Sequence, residues 1–321
     1  MSGTVKTWVI VAIFLILLGV GLFTAVMIAL GWAFGGLSTI RYETNEYAPS
    51  EPFSDISIQT DTADIILLPA EDGDCRVIAH ERENVKHTVT VRDGVLVIET
   101  EDTRKWYEHI GISWGMPSLT VYLPNSEYGA LLVKSSTGMV RLPAELSFAS
   151  IDVETDTGMV QSYASAAGSL KIKTTTGAIG VENVSAASLS LSVTTGKVTV
   201  TDAYVAGDAS VTVSTGKAVL TDVTCKNLFS SGSTGDILLK SVIAAEQLSV
   251  ERDTGDVTLD GADAAEIFIE TDTGDVTGTL LSDKIFFAET DTGRREIPKT
   301  VTGGRCEIET DTGDIVIEIK K

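Results

Sequence analysis

The sequence is short of the residues that build a deep globular core. Aromatic side chains make up 6% of its 321 residues, and no tryptophan follows Trp114. Whatever core the later chain forms must use Val, Ile, Leu and Ala, which suits a thin and repetitive interior. Cysteine is scarcer still: Cys75, Cys225 and Cys306 lie far apart and are odd in number. That excludes a disulfide framework and a CxxC metal site, and leaves small buried hydrophobes as their expected role. His80, His87 and His109 have no ligand spacing and are expected at the surface, and no Ser or Cys sits in a nucleophile motif. Basic residues are outnumbered, 24 Lys and Arg against 45 Asp and Glu, for a net charge of −21 and a pI near 4.4. Such a surface repels nucleic acid and anionic headgroups, so no nucleic-acid partner is expected; cations, basic proteins and neutral glycans remain.

Charge is absent altogether from Thr7 to Ile40. Within that stretch Trp8–Phe34 is longer than the roughly 20 apolar residues needed to cross a bilayer, with Trp8 and Trp32 near its ends where indoles favour the headgroup zone. A cleaved signal peptide would have an apolar core of about 7–15 residues. The expectation is therefore an uncleaved anchor over 7–36, after a short cytoplasmic segment 1–6 and before a linker 37–52. Lys6 precedes the run, whereas Arg41 beyond it is diluted by Glu43, Glu46, Glu51 and Asp55. This bias favours the N-terminus inside and the body outside, at the cell membrane as a single-pass protein.

What the body has in abundance is a period. Thr-Gly recurs at Gly138, Gly158, Gly177, Gly196, Gly216, Gly235, Gly255, Gly274, Gly293 and Gly313, always 19 or 20 residues apart and always after Thr. Five and seven residues before each Gly the chain is usually apolar (Leu131/Val133, Ile151/Val153, Leu170/Ile172). Two and four residues after it apolar residues return (Val198/Val200, Val257/Leu259, Ile315/Ile317). Period-two alternation on both sides means two half-buried strands, and the break in parity means a corner at Thr-Gly, where Gly is free to take positive φ. Val184, Val223 and Val242 give a second apolar position after the Gly, often preceded by Asn183, Asp202 or Asp222, and suggest a second corner and a short third segment. Such a unit cannot bury its apolar face alone, so coils must stack. The fold class expected is all-β, a parallel β-solenoid of 19–20-residue coils over 131–321 after one transmembrane helix. Ten coils at about 4.8 Å give a rod roughly 48 Å long. By parity the invariant Thr is expected to point inward, as a hydroxyl ladder serving the corner backbone.

Residues 53–130 are less regular and are read as an N-terminal cap of the same domain. Ile56–Ile65 repeats the coil with Ala63 in the Gly place. Val89 and Val91, Asp93-Gly94, then Val95 and Val97 predict a hairpin, and Leu119–Pro124 another strand. The loop between them, 102–118, carries Trp106, Tyr107 and Trp114, which could plug the solenoid end or contact a partner.

The four ETDTG blocks ending at Gly158, Gly274, Gly293 and Gly313, with Ile297-Pro298-Lys299-Thr300 and Gly303–Ile308, resemble the putative-adhesin β-strand-repeat family over about Ser54–Ile319. The resemblance implies a right-handed β-helix-like fold without established enzymatic activity, often behind a membrane helix at the bacterial envelope. Arg294-Arg295 departs from the pattern. Arg295 would point inward by parity, so a distorted coil is expected there.

Outward acids stack in the C-terminal coils, Asp253, Asp272, Asp291 and Asp311 above all. Like charges about 5 Å apart cost about 0.8 kcal/mol per pair even in water, so the column is either a solvated face or a calcium ladder. No calcium-loop repeat is present, and no other cofactor is implied. The paired carboxylates of β-helix polysaccharide lyases and hydrolases need a cleft built by long loops, whereas the arcs here are short. The reading is a non-catalytic binding or structural module of the envelope, with glycan or a membrane protein as partner. An envelope-stress accessory and a polysaccharide lyase or hydrolase are its alternatives. The last strand, Ile315–Ile319, is expected to be the bare end of the solenoid, guarded by Glu318, Lys320 and Lys321, leaving a monomer or a weak end-to-end dimer.

Overall fold

The structure, a computed structural model, describes residues 3–29, 31, 41–104 and 115–320. Trp32, Trp106, Tyr107, His109 and Trp114 lie outside the described residues. The chain opens with a helix, Gly3–Ala29, of which Val5–Ala29 is long and apolar enough to cross a membrane; a signal sequence has the same features. Its side chains are exposed almost throughout, Trp8 at 69%.

The rest is the β-solenoid that the period predicts. In-register parallel pairing joins each coil to the next: Val153 lies beside Val133 and Ile172, Leu191 beside Val211, Val250 beside Ile269. The apolar positions on both sides of each corner face inward and form one continuous core from Ile56 to Ile317. At the corner the glycine is obligatory. A Cβ on Gly177 would lie 1.8 Å from the Gly158 carbonyl oxygen, one on Gly196 1.7 Å from that of Gly177, and their φ are 147° and 149°. Asn183, Asp202, Asp222 and Ser241 take φ of 51–55°, the left-handed bend that short polar side chains tolerate, and make the second corner. Beyond it Val184, Val223 and Val242 are buried, so the third segment is real.

The invariant Thr does not point inward. Thr137, Thr157, Thr176 and their equivalents through Thr312 are all exposed. The inward hydroxyl stands two residues earlier, in a column that includes Thr60, Ser135, Thr155, Thr174, Thr271 and Thr310, each at most 9% exposed. The parity break explains the error. It consumes two consecutive outward residues before the Gly, so the last inward side chain lies three residues before the corner. That column does the work expected of the invariant Thr: Thr271, Thr310 and Thr290 donate to the Gly255, Gly274 and Gly313 carbonyls at 3.3, 3.1 and 2.9 Å.

At both ends, spatial order departs from chain order. The coil made by Asp55–Thr62 and Asp64–Pro69 lies between the first shaft coil and a coil made by Val95–Asp102 and Ser118–Leu123. Ala63 does take the Gly place, its N–H bonded to the Thr137 carbonyl at 3.0 Å. The hairpin forms too: Val85–Arg92 pairs antiparallel with Val95–Asp102 through a turn at Asp93 (φ 51°) and Gly94 (φ 77°). Arg76–Arg82 runs antiparallel on Ser118–Leu123, and Tyr42–Tyr47 antiparallel on Arg76–Arg82. This antiparallel layer seals the N-terminal end.

At the C-terminal end the last strands, Gly304–Thr312 and Ile315–Ile319, do not form the bare end. They are inserted between Val257–Leu280 and the coil Lys284–Thr292 with Arg295–Glu296, which is the outermost level. Arg295 accounts for the order. It pairs with Ile315 in an inward register, yet it is exposed and donates to the Ala288 carbonyl at 2.7 Å. In chain order this coil would be covered on both sides and its guanidinium buried without a counter-charge, a cost of several kcal/mol. As the outer level it leaves Arg295 in water. The described residues form twelve parallel levels, a rod roughly 55 Å long.

Candidate functional site

Asp253, Asp272, Asp311 and Asp291 form one outward column, in that spatial order, and all are exposed. Among the described residues no group of His, Cys, Asp and Glu is placed to hold a metal ion. The aspartates just after the corners have a structural task. The N–H groups of Asp256, Asp275 and Asp314 donate to the carboxylates of Asp236, Asp256 and Asp275 at 3.3, 2.9 and 2.8 Å. Arg294 ends the ladder: its N–H reaches Asp314 at 2.8 Å and its guanidinium lies 3.1 Å from the same carboxylate. These bonds hold the Asp314 carboxyl below the usual aspartate range. Along the first coils, Lys171 and Lys173 neutralise Asp152 and Glu154 one level below, at 3.1 and 2.9 Å.

The three cysteines are buried and free, as expected of small hydrophobes. Burial pushes the Cys75 and Cys225 thiols up to about 11 and Cys306 to about 12, so none is a nucleophile at neutral pH.

His87 is not at the surface. It is 4% exposed and forms a pair with Glu81, itself 1% exposed, inside the sealing hairpin. One carboxylate oxygen of Glu81 accepts from the His87 backbone N–H and lies against ring Nδ1, both at 2.6 Å, while the other accepts from Asn45 at 2.7 Å. The ring's Nε2 faces the Thr60 hydroxyl at 3.4 Å, beside a cavity of about 100 Å³ bounded also by Thr100, Arg104 and Pro117. A carboxylate, an imidazole and a hydroxyl in sequence are the parts of a nucleophilic relay. Here, however, Thr60 is one member of a hydroxyl column that continues through Ser135, Thr155 and Thr174, and position along the repeat accounts for it. The group works as a buried polar joint between the cap and the first coils. Sequence reasoning missed it because Glu81 and His87 meet only across the turn between Arg76–Arg82 and Val85–Arg92. His80, by contrast, is half-exposed and stacks on Tyr42.

The other distinct place is the open end. The outer coil leaves a groove of about 980 Å³, lined by Phe286, Ile297, Pro298 and Ile317–Ile319 with Arg295 and Glu296 at its rim. Beside it Arg305 of the inserted strand sits between the rings of Phe268 and Phe287, 5.6 and 5.4 Å from their centroids, and pairs with Glu307 at 2.6 Å. Ile285 and Phe287 remain 40% and 54% exposed.

A solenoid with a sealed and an open end, and no assembled catalytic or metal constellation among the described residues, defines a repeat protein of the β-helix class. The chain matches the Toastrack DUF4097 family over residues 53–216 and 203–321, and it belongs to that family. Among solved structures, it is similar to a putative lipid binding protein from Parabacteroides distasonis. That match has 15% identity and a TM-score of 0.46, covering 88% of this chain and 98% of that one. A putative adhesin from Bacteroides fragilis matches at 14% identity and a TM-score of 0.43, over 87% and 97% of the two chains. A putative adhesin from Parabacteroides distasonis matches at 11% and 0.45, over 75% and 97%. No curated protein is significantly similar to the chain.

Proposed function

We propose that this protein is a non-catalytic, adhesin-like binding rod of the bacterial cell envelope, held by its N-terminal helix in the cell membrane with the solenoid outside. The observation that carries the reading is the regularity of the shaft. From Leu131 to Leu280 every coil closes in 19 or 20 residues, so the carboxylate column stands flush on the surface and not in a cleft. The helix supports anchoring by its length and its charge-free composition. A rod fixed at one end carries its other end away from the membrane, where contacts with glycan or protein are made.

Two experiments test this. The full chain is incubated with cell-wall and plant glycans; no turnover is expected, and turnover abolished by Asp272→Asn or Asp291→Asn would replace the binding reading with a lyase or hydrolase. Protease added to intact cells or spheroplasts is expected to digest the solenoid. Complete protection, while an outer-face control is cut, would overturn the orientation.

A further inference from the structure

The two ends of the rod differ in what they offer another molecule. At the N-terminal end the antiparallel strands cover the coil interior and stand next to the membrane helix in the chain. At the far end the strand Lys284–Thr292 pairs, among the described residues, on one side only, with Gly304–Thr312, and the groove with its apolar floor and charged rim opens beside it. An unpaired strand edge and an uncovered coil interior are the two features by which solenoid coils add to one another. The other edge of Lys284–Thr292 already takes a strand in this way. Gly304–Thr312 docks on this coil in register, with Thr310 and Thr312 beside Thr290 and Thr292.

We propose that the open end pairs with the open end of a second copy, forming a two-fold dimer in which two Lys284–Thr292 edges meet. Charge selects this geometry over others. Residues 41–280 carry 16 basic and 36 acidic side chains, net −20, whereas residues 281–321 carry 7 and 9, net −2. Shafts therefore repel one another side by side, and the near-neutral ends are where two copies approach without that cost. The groove is rimmed by both signs, Arg295 and Lys299 with Asp283, Glu296 and Glu318, a mixture that can complement itself across a two-fold axis. Head-to-tail stacking is blocked by the sealed N-terminal layer, so association closes at two copies. On the binding-rod reading above, the partner of one rod is then another rod. The two anchors lie at opposite ends, roughly 110 Å apart from twice the rod length, and join facing membranes.

The test uses the full chain in detergent micelles, sized by light scattering against concentration, beside Ile285→Glu, Phe287→Glu and a shaft control, Tyr204→Glu. Tyr204 is 57% exposed, so all three changes are at exposed positions. A dimer weakened at least tenfold by Ile285→Glu or Phe287→Glu, unchanged by Tyr204→Glu and unweakened by added salt is the expected result. A chain that stays monomeric at high concentration overturns the proposal and leaves the groove to a different occupant. A dimer indifferent to both end variants also overturns it and assigns association to the membrane helix or the shaft. Circular dichroism confirms that each variant keeps its fold. The same proteins in two differently labelled liposome populations should cluster only when both carry the unaltered end. Glycan turnover would defeat the binding reading without touching this result, so the two failures are distinguishable.

Discussion

The two ends of the solenoid face one problem and answer it differently. Any stack of coils ends in an unpaired edge and an exposed interior. At both ends chain order and spatial order part, so the terminal levels are interleaved and fraying one level means displacing another. The N-terminal end is then closed with antiparallel strands, and the polar groups this buries are satisfied by Glu81, which gathers His87 and Asn45. The C-terminal end is left open, with an exposed arginine at an inward position and no further coil over it among the described residues. A sealed end contributes stability, whereas an open one keeps a surface for contact.

The largest expected effect breaks the seal. Glu81→Ala takes from the His87 N–H and ring their carboxylate partner and leaves the Asn45 amide with Glu43 alone, at 2.8 Å. Removal of one member of a buried pair costs about 3–5 kcal/mol. Hydrogen exchange at Val77 and Ala79 should accelerate by at least a hundredfold, with shaft amides such as Val198 unchanged. Equal protection in the variant would mean that the cap is held by its apolar side chains alone.

A second comparison is between two arginines at inward positions. Arg295 escapes into the open end, but Arg252 stands in mid-shaft, 1% exposed, in the column that holds Thr or Ser towards both ends and Val193, Val213 and Gly232 in the levels just before it. Its guanidinium reaches the Val213 carbonyl at 3.2 Å and the Ser230 hydroxyl at 3.0 Å, while Nε has no partner among the described residues. Room comes from Gly232, whose Cβ would lie 1.9 Å from the arginine. Burial pulls the Arg252 pKa down, the direction expected of an uncompensated charge. Arg252→Met, which keeps the volume and removes the buried charge, should raise stability by about 1–3 kcal/mol in urea unfolding; Gly232 is left in place because a Cβ there would also lie 2.0 Å from the Val213 carbonyl oxygen. A loss would show that the arginine makes favourable contacts across three levels.

These cases mark what the sequence could convey. The corner, the inward aliphatics and the second bend at Asn183 and Asp222 follow from spacing and φ preference, and were legible. The inward hydroxyl lies two residues before the position that parity predicts, because the break in alternation falls between residues 135 and 137 and their equivalents, ahead of the Gly, and nothing in the spacing marks it. The pairing of Glu81 with His87 depends on a turn at residues 83 and 84 that carries no strong turn signal. The open end was hidden for a different reason. Glu270–Gly274, Glu289–Gly293 and Glu309–Gly313 are identical, so any order of those coils satisfies the same ladders, and chain order was the default.

What remains to choose the order is Arg295, and the last prediction isolates it. With Arg295→Ile, the coil Lys284–Glu296 becomes as buriable as its neighbours, and the sequential stack no longer places a bare charge in the core. Global stability should change by less than about 1 kcal/mol, because either order makes the same number of coil contacts. The readout is therefore adjacency. In the native order Glu270 lies beside Glu309, and Glu309 separates it from Glu289. Cysteines at 270 and 309 should form a disulfide readily, and cysteines at 270 and 289 should not; the native thiols are buried and do not compete. In the Arg295→Ile background the 270–289 pair should begin to cross-link. If it stays silent, the order is held by the Arg305 clamp between Phe268 and Phe287, and Phe287→Ala combined with Arg295→Ile becomes the deciding variant.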